Sequence, residues 1–233
     1  MTTYNRPVQL RETLFSIQRQ QFPGLEVIVV DDGDDEGTPR VCESYGVKYL
    51  KMNRLRSDQY RNQARPLNAG IRQAVGEILI LQNAECKHIA NRVIEGIISP
   101  LTNTNAVFAK VIALNPAGEE TTLYCGKENP RPFFFCGAIR REWFDRLRGF
   151  DEDYLGYGFE DDDMADRLRR EGVEFIFTDL LVYHQWHPPA GIIDMAETSA
   201  MFERKRTEPT VRNLNREWGL VSPSQETGET ENG

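Results

Sequence analysis

Apolar positions along the chain fall into short runs that switch between two periods. Residues 25–30 (LEVIVV) and 77–81 (EILIL) are continuous apolar runs, as expected of strands covered on both faces of a parallel sheet. Residues 8–17 place Val8, Leu14, Phe15 and Ile17 on one helical face, with Pro7 in the first turn and Asn5 as N-cap. Further helices are predicted over 38–45, 67–75 and 89–101, with a strand over 47–52. This strand–helix alternation predicts an α/β domain with a mostly parallel, Rossmann-like sheet flanked by helices. Downstream, 107–114 predicts a strand and 115–118 (NPAG) a turn that closes a hairpin, while 119–132 has no periodicity. An apolar strand over 133–139 (FFFCGAI) and a short helix over 141–147 follow. The strand 174–178 leads into 180–187, and the polar stretch 195–218 predicts one or two helices wrapping the domain. Residues 221–233, acidic and almost without apolar side chains, predict a disordered tail.

The densest chemistry lies in residues 149–172, GFDEDYLGYGFEDDDMADRLRREG. Its second half predicts a helix with acids in the first turn, Met164 and Leu168 one turn apart, arginines in the last turn and Gly172 after it. Acids at a helix N-terminus stabilise the helix dipole whatever else they do. That explanation leaves open why Gly-Tyr-Gly-Phe delivers them, since glycines allow a backbone or ligand to approach closely.

Composition bounds the reading. The 233 residues suit one large domain or two small ones, and 39% hydrophobic with 27% charged content describes an ordinary soluble globular protein. A net charge of −8 argues against nucleic acid or an anionic membrane as partner. No apolar run approaches the ~20 residues of a membrane span, and no signal peptide is visible. Cys42, Cys86, Cys125 and Cys136 lack Cys-x-x-Cys spacing, so free thiols in a reducing cytoplasm are expected. A single domain over 1–220 is expected.

Three further groups carry chemistry. Asp31 and Asp32 follow a buried strand, where open α/β sheets bind ligands, although a solvated turn explains them nearly as well. Arg54, Arg56, Arg61 and Arg65 form a basic stretch that can meet a diphosphate or simply face solvent. His184 and His187 lie three apart at a strand exit with Trp186 between them, a metal-ligand signal, and His88 stands within reach of the same site.

The segment GYGFEDDDMADRL, preceded by GFDE, resembles the acceptor-side motif of inverting glycosyltransferases of the family 2 and galactosyltransferase-like group. The resemblance extends over most of residues 2–190 and implies a GT-A-like fold with a smaller antiparallel acceptor-side portion. It also implies a nucleotide-sugar-binding half over 1–88 and an acceptor and metal half over 89–220. It implies transfer of a sugar from a nucleoside-diphosphate sugar, UDP-sugars favoured, to the hydroxyl of a carbohydrate or other acceptor. By the same resemblance Asp161 is the catalytic base, and Glu160, Asp162, Tyr157 and Gly158 face the acceptor. Thr2, Thr3, Tyr4, Asp31, Asp32, Arg65, Asn68, Asn83 and Gly137 face the nucleotide sugar. Glu85, His184 and His187 hold Mn²⁺ or Mg²⁺, with His184 the better match of the two histidines. Two departures stand out. Members of the family carry an apolar strand of about half a dozen residues before TTYNRP, a usual strand length, so either the start is truncated or the sheet lacks its first strand. The acidic D-x-D segment is replaced by Gln82-Asn83-Ala84, which leaves Glu85 as the oxygen ligand. Rival readings are a catalytically silent nucleotide-sugar binder, a metal-dependent phosphoryl- or nucleotidyl-transfer enzyme, and an interaction module with the acids as solvated surface.

Overall fold

A computed structural model describes residues 1–52, 62–189 and 194–221. Arg54, Arg56 and Arg61 of the basic stretch and nearly all of the predicted tail lie outside the described residues. The first sheet is wholly parallel: β1 (Thr2–Thr3), β2 (Ile28–Asp31) and β3 (Lys48–Lys51), in that order. Helices α1 (Pro7–Gln18), α2 (Gly37–Tyr45) and α3 (Ala64–Gln73) connect and cover it. The second sheet holds β4 (Ile78–Gln82), β5 (Cys86–His88), β6 (Asn105–Leu114), β7 (Glu120–Cys125), β8 (Cys136–Arg140) and β9 (Glu174–His184). Its order is β4-β8-β6-β9-β5, with β7 hairpinned onto β6, and only the β6–β9 pairing is parallel. The architecture is thus α/β with a mixed sheet, and the antiparallel portion has twice as many strands as the parallel one. The remaining helices are α4 (Val93–Ile98), α5 (Arg141–Leu147), α6 (Glu160–Arg170) and α7 (Ala196–Lys205).

Thr2 joins the sheets by pairing with Val30 on one side and Asn83 on the other. A cavity of about 390 Å³ is lined by residues of β2 and β4 beside Met1 and Thr2. Ile17, Val27, Leu67, Ile71, Ile78 and Ile80 are among its apolar walls. The main core lies on the second sheet, where Phe108, Phe134, Phe144 and Phe150 are completely buried against one another.

Local readings shifted where distant partners intervened. Asn5 does not cap α1; at φ 52° it accepts hydrogen bonds from the backbone of Asp34 (2.6 Å) and Asp35 (3.0 Å), clamping the loop after β2. The helix expected over 89–101 is Val93–Ile98 only; at its expected start, Ile89 N–H instead donates to the Leu181 carbonyl of β9 at 3.1 Å. The strand expected from residue 133 starts at Cys136, and the unassigned 119–132 contains β7.

Helix α6 is anchored through its inner face. Arg167, fully buried, bonds Asp163 at 2.7 Å and donates to the carbonyl oxygens of Gly149, Leu147 and Thr210. The helix stops where Gly172 (φ 85°) lets Val173 N–H reach the Leu168 carbonyl at 3.0 Å. Removing one partner of a buried ion pair leaves the other charge uncompensated. Arg167→Met is therefore expected to lose about 3–5 kcal/mol of stability in urea unfolding.

Candidate active site

The first turn of α6 is presented by a strained bend. Gly158 has φ 80° and Phe159, the N-cap, φ 70°, a left-handed value unusual for an aromatic residue. The bend is fixed from α7: Thr198 Oγ1 donates to the Tyr157 carbonyl at 2.8 Å, and Met195 packs against Gly158. Tyr157 itself is exposed. Three successive acids then meet three different environments. Glu160 is buried and accepts from Asn62 Nδ2 at 2.9 Å. Asp162 is half-buried in a fork with Arg131, whose Nη2 lies 2.9 Å and 3.1 Å from its two oxygens.

Asp161 lies between them, buried, with the Phe134 backbone N–H bonded to it. Loss of hydration holds its carboxyl well above the usual aspartate range, Glu160 and Asp162 push it the same way, and Arg131 opposes them. A carboxyl with a raised pKa is a proton acceptor tuned towards neutral pH, as general bases require.

On the opposite strand ends, β5 and β9 pair antiparallel with Cys86 opposite His184. That register sets Glu85 beside the segment after β9: Gln185 N–H donates to the Glu85 carbonyl at 2.9 Å, and the Gln185 side chain bonds α1 through Thr13 Oγ1. One donor atom each from Glu85, His184 and His187 then fall within 4.8 Å of one another. His187 Nδ1 lies 2.9 Å from the Pro188 carbonyl, which can only accept, so that nitrogen carries the proton and Nε2 keeps a lone pair when the ring is neutral. Nε2 lies 3.4 Å from Glu85 Oε1. Burial, chiefly, lowers the His184 pKa to about 4, leaving a neutral imidazole at physiological pH. One carboxylate oxygen and two imidazole nitrogens form a donor set that suits a borderline divalent cation. Both histidines therefore belong to the cluster.

The two halves are joined by rings. The Arg131 guanidinium sits 4.3 Å from the Phe133 ring centroid, Phe133 stacks on Phe135 at 5.1 Å, and Phe135 lies 5.5 Å from His184. Asp162 is thus linked by contacts to the cluster through Arg131 and two phenylalanines, which sequence reading had assigned to a strand.

Several predicted donor-side residues have other work. Asn68 is fully buried; its Nδ2 donates to the Phe150 carbonyl and Glu152, both at 2.9 Å, and its Oδ1 accepts from Phe150 N–H at 2.7 Å. With these bonds inside the protein, Asn68 pins the 149–152 turn to α3. At Gly137 a Cβ would meet the Phe108 ring at 2.8 Å, so its small size makes room for the core. Asp31 is fully buried and accepts from Gly33 N–H (2.8 Å) and Tyr49 Oη (3.0 Å), which organises the loop that carries the half-buried Asp32. His88 leaves the metal group: its Nε2 bonds Gln82 at 2.9 Å, and burial lowers its pKa to about 4. Thr2, Thr3, Tyr4 and Asn83 cluster where β1 ends, with Thr2 Oγ1 bonded to Gln63 at 2.8 Å, and Arg65 lies 3.9 Å from Glu152. Sequence reasoning did not single out Arg6, Arg131 or Gln185, although Arg6 lies within TTYNRP.

Asp161 yields a stability prediction. A carboxyl raised above its unfolded value stabilises the fold fully below the unfolded pKa, near 4, and loses that contribution as pH rises through the folded value. Asp161→Asn removes the penalty. Its melting temperature is expected to match wild type near pH 4 and exceed it increasingly towards pH 8; a gap that stays constant with pH contradicts the burial account.

Comparison with known proteins supplies the family. The family model described as Glycosyl transferase family 2 matches residues 1–160. Uncharacterized glycosyltransferase YfnE of Bacillus subtilis is 25% identical over 79% of this chain and 63% of its own length. Glycosyltransferase AglE of Haloferax volcanii is 28% identical over 36% of this chain and 28% of its own. The chain therefore spans less than two thirds of these relatives. Among solved structures, S. aureus TarS superposes with TM-score 0.65 at 18% identity, over 88% of this chain and 38% of that one. GalNAc-T7, solved with UDP, GalNAc and Mn²⁺, superposes with TM-score 0.62 at 15% identity, over 83% and 43%. At these identities the structures establish a shared glycosyltransferase fold, and the sequence match over residues 1–160 establishes that the chain belongs to glycosyl transferase family 2.

Proposed function

We propose that the protein transfers a sugar from a nucleoside-diphosphate sugar, most readily a UDP-sugar, to an acceptor hydroxyl with inversion at the anomeric carbon. The observation that supports this reading is the line of contacts from Asp162 through Arg131, Phe133 and Phe135 to His184, which connects an acidic helix start to a metal-type donor cluster. The TarS fragment solved in complex with UDP, at TM-score 0.61 and 19% identity, supports the choice of nucleotide.

In this reading Thr2, Thr3, Tyr4, Asp32 and Asn83, at the carboxyl ends of β1, β2 and β4, border the crevice that takes the nucleotide. Glu85, His184 and His187 would hold the Mn²⁺ or Mg²⁺. Such an ion supplies positive charge to offset a leaving diphosphate. Glu160, Asp162 and Tyr157 orient the acceptor, and Asp161 takes the proton of its attacking hydroxyl. The acceptor oxygen bonds the anomeric carbon as the bond to the diphosphate oxygen breaks, and the diphosphate leaves with that electron pair. A single displacement by an activated hydroxyl inverts the centre, and Asp161 forms no bond to the sugar.

Asp161→Asn separates this reading from a silent nucleotide-sugar binder. Transfer is expected to fall about a hundredfold or more, the usual contribution of a general base, while calorimetric UDP affinity stays within twofold. Full activity in this variant would remove Asp161 from the reaction.

A further inference from the structure

Two groups meet on one carboxylate oxygen in the cluster. Glu85 Oε1 accepts from Arg6 Nη1 and lies 3.4 Å from His187 Nε2, and both Glu85 and Arg6 are largely withdrawn from solvent. The position that a divalent cation would use is thus already held by a guanidinium. We propose that Arg6 is the resident counter-cation of the Glu85–His184–His187 cluster, holding the Glu85 carboxylate until a divalent cation arrives and then turning to the diphosphate of the bound nucleotide. The proposal rests on the metal reading given under Proposed function.

Charge and geometry both argue for such a handover. A guanidinium and a divalent cation pressed on one buried carboxylate oxygen repel strongly, because little solvent screens them. One must yield, and the guanidinium is on a long side chain that can rotate. Its backbone need not move: the Arg6 carbonyl accepts from Leu10 N–H at 2.9 Å, and Pro7 opens α1 immediately after it. Arg6 follows the end of β1 by three residues, at the carboxyl edge of the parallel sheet, where a phosphate-bearing ligand is expected. A released guanidinium is a forked donor well matched to a diphosphate. Glu85 would therefore exchange one cation for another, while Arg6 would exchange a carboxylate for a phosphate. Metal and nucleotide then favour each other's binding, and the coupling is reciprocal.

The test is calorimetric titration of Mn²⁺, with and without UDP, into wild type, Arg6→Met, Arg6→Lys and Glu85→Gln. Without nucleotide, Arg6→Met is expected to bind Mn²⁺ about tenfold or more tightly than wild type, because a charge-assisted hydrogen bond no longer competes for the carboxylate. In saturating Mn²⁺ the same variant is expected to bind UDP about tenfold more weakly. Changes of opposite sign cannot come from misfolding, which weakens both. Arg6→Lys keeps the charge but not the fork, so it is expected to show smaller changes of the same signs and serves if the methionine variant does not fold. Mn²⁺ affinity that is unchanged or weakened in both variants, yet lost in Glu85→Gln, overturns the handover and leaves the metal reading standing. Absence of Mn²⁺ binding in wild type and both Arg6 variants overturns the two together.

Discussion

A three-residue strand is the constraint on which the candidate site depends. Cys86–His88 pairs with the end of β9 in a register that sets Cys86 against His184. A slip of one residue would turn every side chain of β5 to the other face of the sheet. In the observed register Glu85 meets His184 and His187, while His88 points into the core with Gln82 and Cys136. Gln185 locks that register from outside, bonding both the Glu85 carbonyl and α1. The cluster therefore takes its placement from backbone pairing.

The acidic side of the site solves a different problem. Four acids in one helical turn repel one another, and the fold distributes them to separate counter-groups. Asp163 faces inward to Arg167, Asp162 outward to Arg131, and Glu160 sideways to Asn62. Asp161 has one backbone N–H and a distant guanidinium to offset its burial, so its charge is the costly one. Burial raises the carboxyl pKa of both Asp161 and Asp163, but Asp163 is tied to Arg167, whereas Asp161 is bonded by a backbone N–H. The left-handed Phe159 that delivers it is a strained residue held in place by α7, a pattern found where geometry is maintained for function.

What the sequence disclosed tracks how local each signal was. Helix α6 was legible because dipole-matched charges, an apolar pair and a terminal glycine all lie within its own span. The buried strands at 28–31 and 78–82 were legible from unbroken apolar runs. The packing of Asn68 and Gly137 was not legible because their partners lie far along the chain: Phe150 for one, the Phe108 ring for the other. Phe133 and Phe135 looked like strand residues because apolar runs do not reveal that a ring stacks under Arg131. Strand β5 was invisible, since Cys-Lys-His has no period and is ordered by β9 alone. Arg6, within TTYNRP, carried no sign of its pairing with a glutamate 79 positions later.

The most direct measurement is the anomalous scattering of Mn²⁺ in crystals grown with UDP. The account predicts one strong peak bounded by Glu85, His184 and His187, with the diphosphate against it. A peak elsewhere, or UDP bound in the crevice with none, would contradict the assignment of these three residues as the metal centre.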